Sequence, residues 1–558
     1  MGGMNRAGVI LALACLVGLL ASGLAPRSAG LMQSSLALAA AVCVLAMPLG
    51  VALAVLVWKT DAPGARWGAA LLIAQLFLPI QLHAAGWMAA FGFDGWWTLA
   101  HASDQPADPL LAGFWGAVWV HAMAAVPWIA VITGAGLRAV DAQLEEAALP
   151  VMSGPQVLMR VSLRMAAPAA AAALLWTCVV VGGEMTVTDL FQVRTFAEEV
   201  YTQSVLGAFD PAAGDDPASR ALYAQSPNLT GLLLGLALLT LLAAAALLIG
   251  GVLMTRSDDE TRPPWRLRLG PLRWVAGAAA ASLLAVQIGA PTANLVYQAG
   301  VSSYRVEDAA SPEKVAWRRS WSAGKAAEMV AAAPWRMRRE LGRSLTLGAA
   351  TATAAAVLGA VLAYALRSAA WRGAAGAAIA LGLAAPGVLI GIALVRVFNQ
   401  PWDSPLWPLT WLYDHTSIAP WLAHVIKATP IAALVLWPAF GSAPSAVLEA
   451  AELDGASPWR RLFRVLLPMR PAALAAAWLA ALAVSLTELP ATILLPGAQT
   501  LTVRLFNLLH YGVEDQAAGV CLFQMLLFGG LAAVTMRFWN SRGTMGNPKD
   551  EIRNPKQA

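Results

Sequence analysis

Glu449-Ala450-Ala451-Glu452-Leu453-Asp454-Gly455, followed after nine residues by Val465-Leu466-Leu467-Pro468, lies between two apolar stretches each long enough to cross a bilayer. A shorter version, Glu146-Ala147-Ala148 followed by Pro155, lies 303 residues earlier. The same spacing superposes His121 on His424, Pro127 on Pro430 and Pro155 on Pro458 without a gap. A polar loop that recurs in register marks an internal duplication, which bounds the fold. At slightly different spacings Ser35-Leu36-Ala37-Leu38 matches Ser344-Leu345-Thr346-Leu347, and Gly50 matches Gly359. Glu184, Thr188 and Leu190 likewise match Glu488, Thr492 and Leu494. The drift in spacing is what small loop changes after duplication leave behind.

Of the 558 residues, 59% are apolar and only 12% charged, against about 25% charged in soluble domains. The chain therefore reads as an all-α polytopic membrane protein. A helix needs about 20 apolar residues to cross the hydrocarbon, and twelve such stretches are present: 9–25, 33–58, 68–91, 112–137, 166–191, 228–254, 267–289, 344–366, 374–397, 417–440, 471–495 and 517–537. Open strands are excluded there because unpaired backbone groups cannot face lipid. Arg6 and the small residues Ala21, Ser22, Gly23 and Ala25 also give the first stretch the look of a signal peptide. A retained span is favoured, because the second half carries a matching extra apolar segment, 267–289, ahead of its repeat.

Basic residues set the orientation. Lys59 and Arg66 follow the second stretch, Arg256, Arg262, Arg266 and Arg268 follow the sixth, and Arg537, Arg542, Lys549, Arg553 and Lys556 form the tail. The loop of Asp94, Asp104 and Asp108 has neither Lys nor Arg. Both termini and both Glu-Ala-Ala loops are therefore expected on the cytoplasmic side. Residues 290–343 are basic yet fall outside, which long loops tolerate. Six spans separate the two loops, so the halves are expected to be parallel repeats about an axis along the membrane normal. The expected organisation is a first half at 1–254 with its loop at about 141–165, a linker at 255–266, a second half at 267–540 with its loop at about 444–468, and a basic cytoplasmic tail at 541–558.

The better loop has its own local logic. Pro444 opens a short helix that Leu448 to Leu453 continue, and Gly455 supplies the permissive backbone that ends it. Ser457 is a natural N-cap and Pro458 suits the first helical position of a second helix. Trp459, Leu462, Phe463 and Leu466 form one stripe of that helix, with Arg460, Arg461 and Arg464 toward the other side. Two short helices joined by a tight turn make a rigid knob of the kind that docks in another protein's groove.

This loop resembles the signature loop of ABC importer permeases. The two fused copies, together with Glu488-Leu489-Pro490-Ala491-Thr492, the stretch from Leu501 to Gly512, and Arg194-Thr195-Phe196-Ala197-Glu198-Glu199-Val200-Tyr201, resemble the ferric-iron permease family. The resemblance covers most of the chain apart from roughly 290–343 and the tail. It implies a type I permease of the bacterial inner membrane, coupled through both loops to a separate ATPase pair and fed by an extracytoplasmic substrate-binding protein. The implied coupling residues are Glu146, Ala147, Ala148 and Pro155 in the first loop, and Glu449, Ala450, Ala451, Gly455, Pro458 and Pro468 in the second. In the first loop Met152 stands where the pattern has Gly, and Arg164-Met165 where it has Leu-Pro. Thiamine, sulfate, molybdate and phosphonate importers share the loop, and iron is favoured only by the fused halves and the stretch ending at Tyr511-Gly512.

Other candidates are weighed on their chemistry. No glycine-rich phosphate loop is present, since Gly324-Lys325 lacks the upstream glycine and the hydroxyl residue, so ATP hydrolysis is expected in a partner chain and no cofactor in this one. Nothing points to nucleic acid. Cys15, Cys43, Cys178 and Cys521 all fall in spans far apart in sequence and read as packing residues. His121 and His424, without a carboxylate cluster, suit helix packing better than iron ligation. Glu184 and Glu488, about 17 residues into their spans, are costly unless they face a partner or a wet cavity. They read either as lining of the pathway or as structural hydrogen-bond acceptors at a helix break beside Pro490. Lys427 has no counterpart, because Ala124 takes its place. Twelve spans in parallel halves are also the pattern of secondary transporters of the major facilitator type, which have no reason to duplicate a cytoplasmic knob.

Overall fold

The computed structural model describes residues 26–93, 95–100, 109–206, 229–254, 265–308, 311–497 and 499–540. The expected span 9–25, most of the linker and the basic tail lie outside the described residues. The other eleven apolar stretches are all occupied by helix, which makes the protein a polytopic helical membrane protein. Among the described residues seven helices are long and apolar enough to cross a membrane, and up to ten if each bent pair counts as one span.

Two bends, within the expected spans 68–91 and 374–397, correct the expectation that these are continuous, and a third falls where the second loop meets the span 471–495. Ala65–Gln75 meets the helix beginning at Ile80 at 103°, Arg372–Ala384 meets Gly387–Phe398 at 100°, and Pro458–Met469 meets Pro471–Thr487 at 93°. Each break carries a proline at its downstream edge: Pro79, Pro386 and Pro471. Proline removes a donor and pushes the residue before it out of the helical region. Arg470 shows the effect, with φ −128° and ψ 46°. Hydropathy alone cannot see such a turn. Two further spans are shorter than expected: Leu163–Gly183 ends just before Glu184, and Pro471–Thr487 just before Glu488. Both glutamates therefore sit at helix C-caps in extended conformation, not inside helices.

The duplicated positions make the same contacts twice. Pro26–Trp58 packs along Gly113–Arg138, and Arg338–Ala365 packs along Ile418–Gly441. At the first crossing a Cβ on Gly50 would lie 2.5 Å from the Ile129 side chain, and at the second a Cβ on Gly359 would lie 2.8 Å from that of Ala432. Small residues let the backbones approach, which is how helices associate in lipid. The Ser35 hydroxyl accepts from Phe196 N–H at 2.9 Å, and the Ser344 hydroxyl accepts from Leu501 N–H at 2.8 Å. Thr195 and Thr500 then cap the amphipathic helices Phe196–Val205 and Leu501–His510.

The 290–343 segment departs from the all-α expectation. After Gly270–Gly300 the chain forms an antiparallel hairpin of Val301–Asp308 and Ser311–Trp321, then the helix Ala323–Arg336. Ala290–Gly300 and Ala323–Arg336 pack on Glu514–Asn540, and Lys325 pairs with Asp515 at 2.9 Å. The stretch leading into this segment, and its start, are bound to the first half. Leu267 N–H donates to Lys59 O at 2.8 Å, Asn294 Nδ2 donates to Gly86 O at 3.0 Å, and a Cβ on Gly86 would meet Pro291 at 2.5 Å. The two halves are therefore interlocked.

Candidate functional site

Both Glu-Ala-Ala sequences form helix-turn-helix knobs. In the second, Ser445–Leu453 follows Pro444, and Gly455 turns the chain with φ +80°. Ser457 then caps the helix opened by Pro458, its hydroxyl accepting from Arg460 N–H at 3.4 Å. Leu448, Leu462 and Leu466 are buried and anchor the knob, each worth about 1.5–3 kcal/mol. Arg461 reaches across the turn to Glu452 at 2.6 Å. Trp459 and Phe463, on the same apolar stripe, stack on each other at the surface. Glu449, Ala450, Gly455, Pro458 and Pro468 are exposed, Ala451 is half-buried, and Leu453 is 90% exposed. Charge and apolar surface are thus offered together on one face.

The first knob closes without the glycine. Ala142–Ala148 is capped by Asp141, and Ser153 with Gln156 forms a reciprocal capping box for the next helix. Glu146, Ala147 and Pro155 are exposed, and Ala148 is half-buried. From Gly154 to Gly183 this knob runs into its span as one 30-residue helix, whereas the second knob bends by 93° at Arg470–Pro471.

Glu145, one residue before the sequence motif, ties the first knob to the bundle. Lys59 Nζ donates to its two oxygens at 2.6 and 2.8 Å, and Ser162 Oγ donates at 2.5 Å. Lys59 and Glu145 have side chains with no exposure. Burial pulls the Lys59 ammonium below its ordinary pKa, and the Glu145 carboxylate opposes that pull. At the repeat spacing Leu448 stands for Glu145 and Val465 for Ser162, so the second knob uses apolar contact where the first uses a buried ion pair. Lys59 directly after an apolar stretch and two adjacent glutamates were the available sequence signal.

The duplicated glutamates share one local role and differ in surroundings. Glu184 accepts from Thr186 N–H at 2.5 Å and Val187 N–H at 3.0 Å, and Glu488 accepts from Ala491 N–H at 3.0 Å. His424 is tied on both sides, Nδ1 to Ser485 Oγ at 2.6 Å and Nε2 to Thr492 Oγ1 at 2.8 Å. At the position of Ser485 the first half has Val181. His121 Nε2 lies 3.6 Å from Glu184, beyond hydrogen-bond reach, and makes no hydrogen bond among the described residues.

Beside that pair is a cavity of about 530 Å³ between the halves. Its walls come from the bend at Gln75–Ile80, from Gly113–Arg138 and Leu163–Gly183, and from Ile418–Gly441 and Pro471–Thr487. Glu184 lines it; Glu488 is not among its lining residues. Both side-chain atoms of Gln75, with Gln81 Oε1, His83 Nδ1, Trp176 Nε1 and Thr186 Oγ1, are buried without a hydrogen bond from the protein. Each such atom costs about 1–3 kcal/mol unless water or a ligand satisfies it. A cluster of this kind around one cavity marks a wet, ligand-binding space. Gln75, Gln81 and His83 are polar residues inside an apolar stretch, a signal the sequence carried and the span count passed over. The structure also brings Cys43 within 3.7 Å of Cys178, a proximity that sequence distance concealed.

Apolar spans around a cavity lined by unsatisfied polar atoms, with two helix-turn-helix knobs between spans, are the architecture of a membrane transport permease. Residues 355–540 match the family described as binding-protein-dependent transport system inner membrane component. Over 208 residues the chain is 32% identical to the putrescine transport system permease protein PotI of Escherichia coli (strain K12), covering 36% of this chain and 72% of that protein. It is also 44% identical over 69 residues to the trehalose transport system permease protein SugA of Mycobacterium tuberculosis, covering 12% of this chain and 22% of that protein. The chain belongs to the binding-protein-dependent permease family, with the type I permease fold.

Proposed function

We propose that this chain is the translocating subunit of an ATP-driven importer of the bacterial inner membrane, with two permease halves fused at 1–254 and 267–540 through the linker 255–266. Both termini and both knobs face the cytoplasm, where the knobs dock on a separate ATPase pair. Substrate arrives from an extracytoplasmic binding protein. ATP is bound and hydrolysed by the partner, and this chain supplies the path.

The observation that carries this reading is a mechanical connection. The first knob continues through Gly154–Gly183 to Glu184 on the cavity wall. At 1.5 Å per residue that helix is a lever of about 45 Å. Movement imposed at the knob is delivered to the cavity. The second knob, bent at Arg470–Pro471, meets its helix at a hinge. Ferric iron, favoured by the resemblance of Leu501–Gly512, gains no support from the geometry: among the described residues no three His, Cys, Asp or Glu side chains converge to hold a metal. The related permeases are named for putrescine and trehalose, and we take the cargo of this one to be a small organic molecule.

Co-purification from native membranes tests the docking reading. The ATPase should accompany the wild-type chain and be lost from Glu449→Lys and Gly455→Val, because a β-branched residue opposes the positive φ at Gly455. Retention of the ATPase and of wild-type import by both variants refutes the assignment.

A further inference from the structure

Resting on the permease reading above, we infer that the cavity is a cargo site whose unsatisfied polar groups come from the first half alone, and that its ligand is a small organic cation carrying N–H donors. Gln75, Gln81, His83, His121, Trp176 and Glu184 all precede the linker, whereas the second half contributes Ile431, Val435, Ala480 and Val484. Its hydroxyl there, Thr487, already donates to Val484 O at 3.0 Å. The bent pair in the second half has no polar side chain from Gly373 to Val395. Duplication has thus been followed by specialisation of one wall for recognition.

The chemistry of that wall selects the ligand. It holds a carboxylate and, among the described residues, neither Lys nor Arg. An oxyanion such as sulfate, molybdate or a phosphonate would enter without a counter-charge, beside Glu184. Trp128 and Trp176 both line the cavity with ring centroids 5.6 Å apart and planes at 55°. Indole faces attract an ammonium or an aromatic cation. The unpaired carbonyls of Gln75 and Gln81 accept N–H donors. A volume of about 530 Å³ is within the range of organic-ligand pockets. His121 Nε2 has no hydrogen bond among the described residues, whereas the Nε2 of His424 is tied to Thr492 Oγ1.

Equilibrium dialysis of radiolabelled 1,4-diaminobutane against the full chain in nanodiscs tests the inference, with 1,5-diaminopentane, sulfate and ferric citrate as competitors. Saturable binding is expected, displaced by 1,5-diaminopentane and untouched by the other two. Glu184→Gln and Trp176→Ala should each weaken it about tenfold or more, while Glu328→Gln on the surface leaves it unchanged. Variants are first matched to wild type in elution and near-ultraviolet circular dichroism, and Trp128→Leu replaces any that fails. No saturable binding, displacement by sulfate or ferric citrate, or full affinity in Glu184→Gln and Trp176→Ala overturns the inference. ATPase co-purification is read on the same preparations. If the ATPase associates and the amine does not bind, the cargo inference fails and the permease reading stands; loss of the ATPase with the amine bound is the reverse.

Discussion

Replacing Glu145 by Leu should unfold the first knob from the bundle, and the cost can be worked from its contacts. Two oppositely charged groups about 2.7 Å apart, at an effective dielectric of about 20, attract by about 6 kcal/mol. Desolvation of two fully buried ions offsets most of that. The net penalty of removing one partner is still about 3–5 kcal/mol, because the other charge is left buried and unpaired. Lys59 would be that charge, with no exposure through which to reach water. The second knob supplies the compensated alternative. Lys59→Met, Glu145→Leu and Ser162→Val together reproduce its apolar contact, and exchange of a buried ion pair for apolar groups of similar volume is often neutral or stabilising. Equilibrium unfolding in mixed micelles should show a loss of about 3–5 kcal/mol for Glu145→Leu, with recovery to within about 1 kcal/mol in the triple variant. A single variant within about 1 kcal/mol of wild type, or a triple as unstable as the single, refutes the ion pair as the anchor of the knob.

Gly359→Val should cost about 1–3 kcal/mol by overpacking the crossing with Ala432, read as a fall in melting temperature; an unchanged melt would mean the backbones separate freely. Glu199 is buried between Arg27, Arg194 and Gln203; burial pushes its carboxyl up, but these bonds outweigh that and hold it below the usual carboxylate range. Its stabilisation is therefore present above about pH 4.3 and lost as pH falls through the depressed folded value, and Glu199→Gln should flatten that acid limb in pH-dependent melts. Mild oxidation with diamide should join Cys43 and Cys178, reducing diamide to its hydrazine and removing two thiol hydrogens; full alkylation of both afterwards contradicts the 3.7 Å approach. In a background lacking Cys15, Cys43, Cys178 and Cys521, Glu184→Cys should react with an impermeant thiol reagent at a rate set by nucleotide state, and Glu488→Cys should not. Glu146→Lys should lower substrate-stimulated ATP turnover less than Glu449→Lys, since only the second loop has the full pattern; equal losses count against that asymmetry.

What the sequence could say depended on how local the cause was. Apolar composition and length force helices wherever lipid surrounds the backbone, so the helical, membrane-spanning character was legible from hydropathy. The second knob was legible because Pro444, Gly455, Ser457 and Pro458 each act on the backbone within one or two residues. The bends at Pro79, Pro386 and Pro471 were not, because proline also sits undisturbed inside Gly113–Arg138 and Ile418–Gly441, at Pro127 and Pro430. Packing against neighbours decides which proline turns the chain. Lys59 and Glu145 are separated by 86 residues; each charge is visible beside an apolar stretch, but which charges pair over that distance is not written in a single sequence.

The repeat is most informative where its copies diverge. Equivalent positions keep the crossings at Gly50 and Gly359, the serine contacts at Ser35 and Ser344, and the acceptor role of Glu184 and Glu488. These are demands of packing and of a broken helix, and both halves meet them alike. The differences fall elsewhere. Val181 stands for Ser485, His121 Nε2 lacks the hydrogen bond that His424 Nε2 makes to Thr492, and Trp128 and Trp176 stand where Ile431 and Ala480 stand in the second half. The unpaired polar atoms gather on one wall, and the knob attached to that wall is the one held by a buried ion pair and a continuous helix. The half that carries the polar wall is therefore also the half with the stiffer connection to its knob. A device that must deliver movement to a bound ligand needs that coincidence, and a bundle stabilised by packing alone does not.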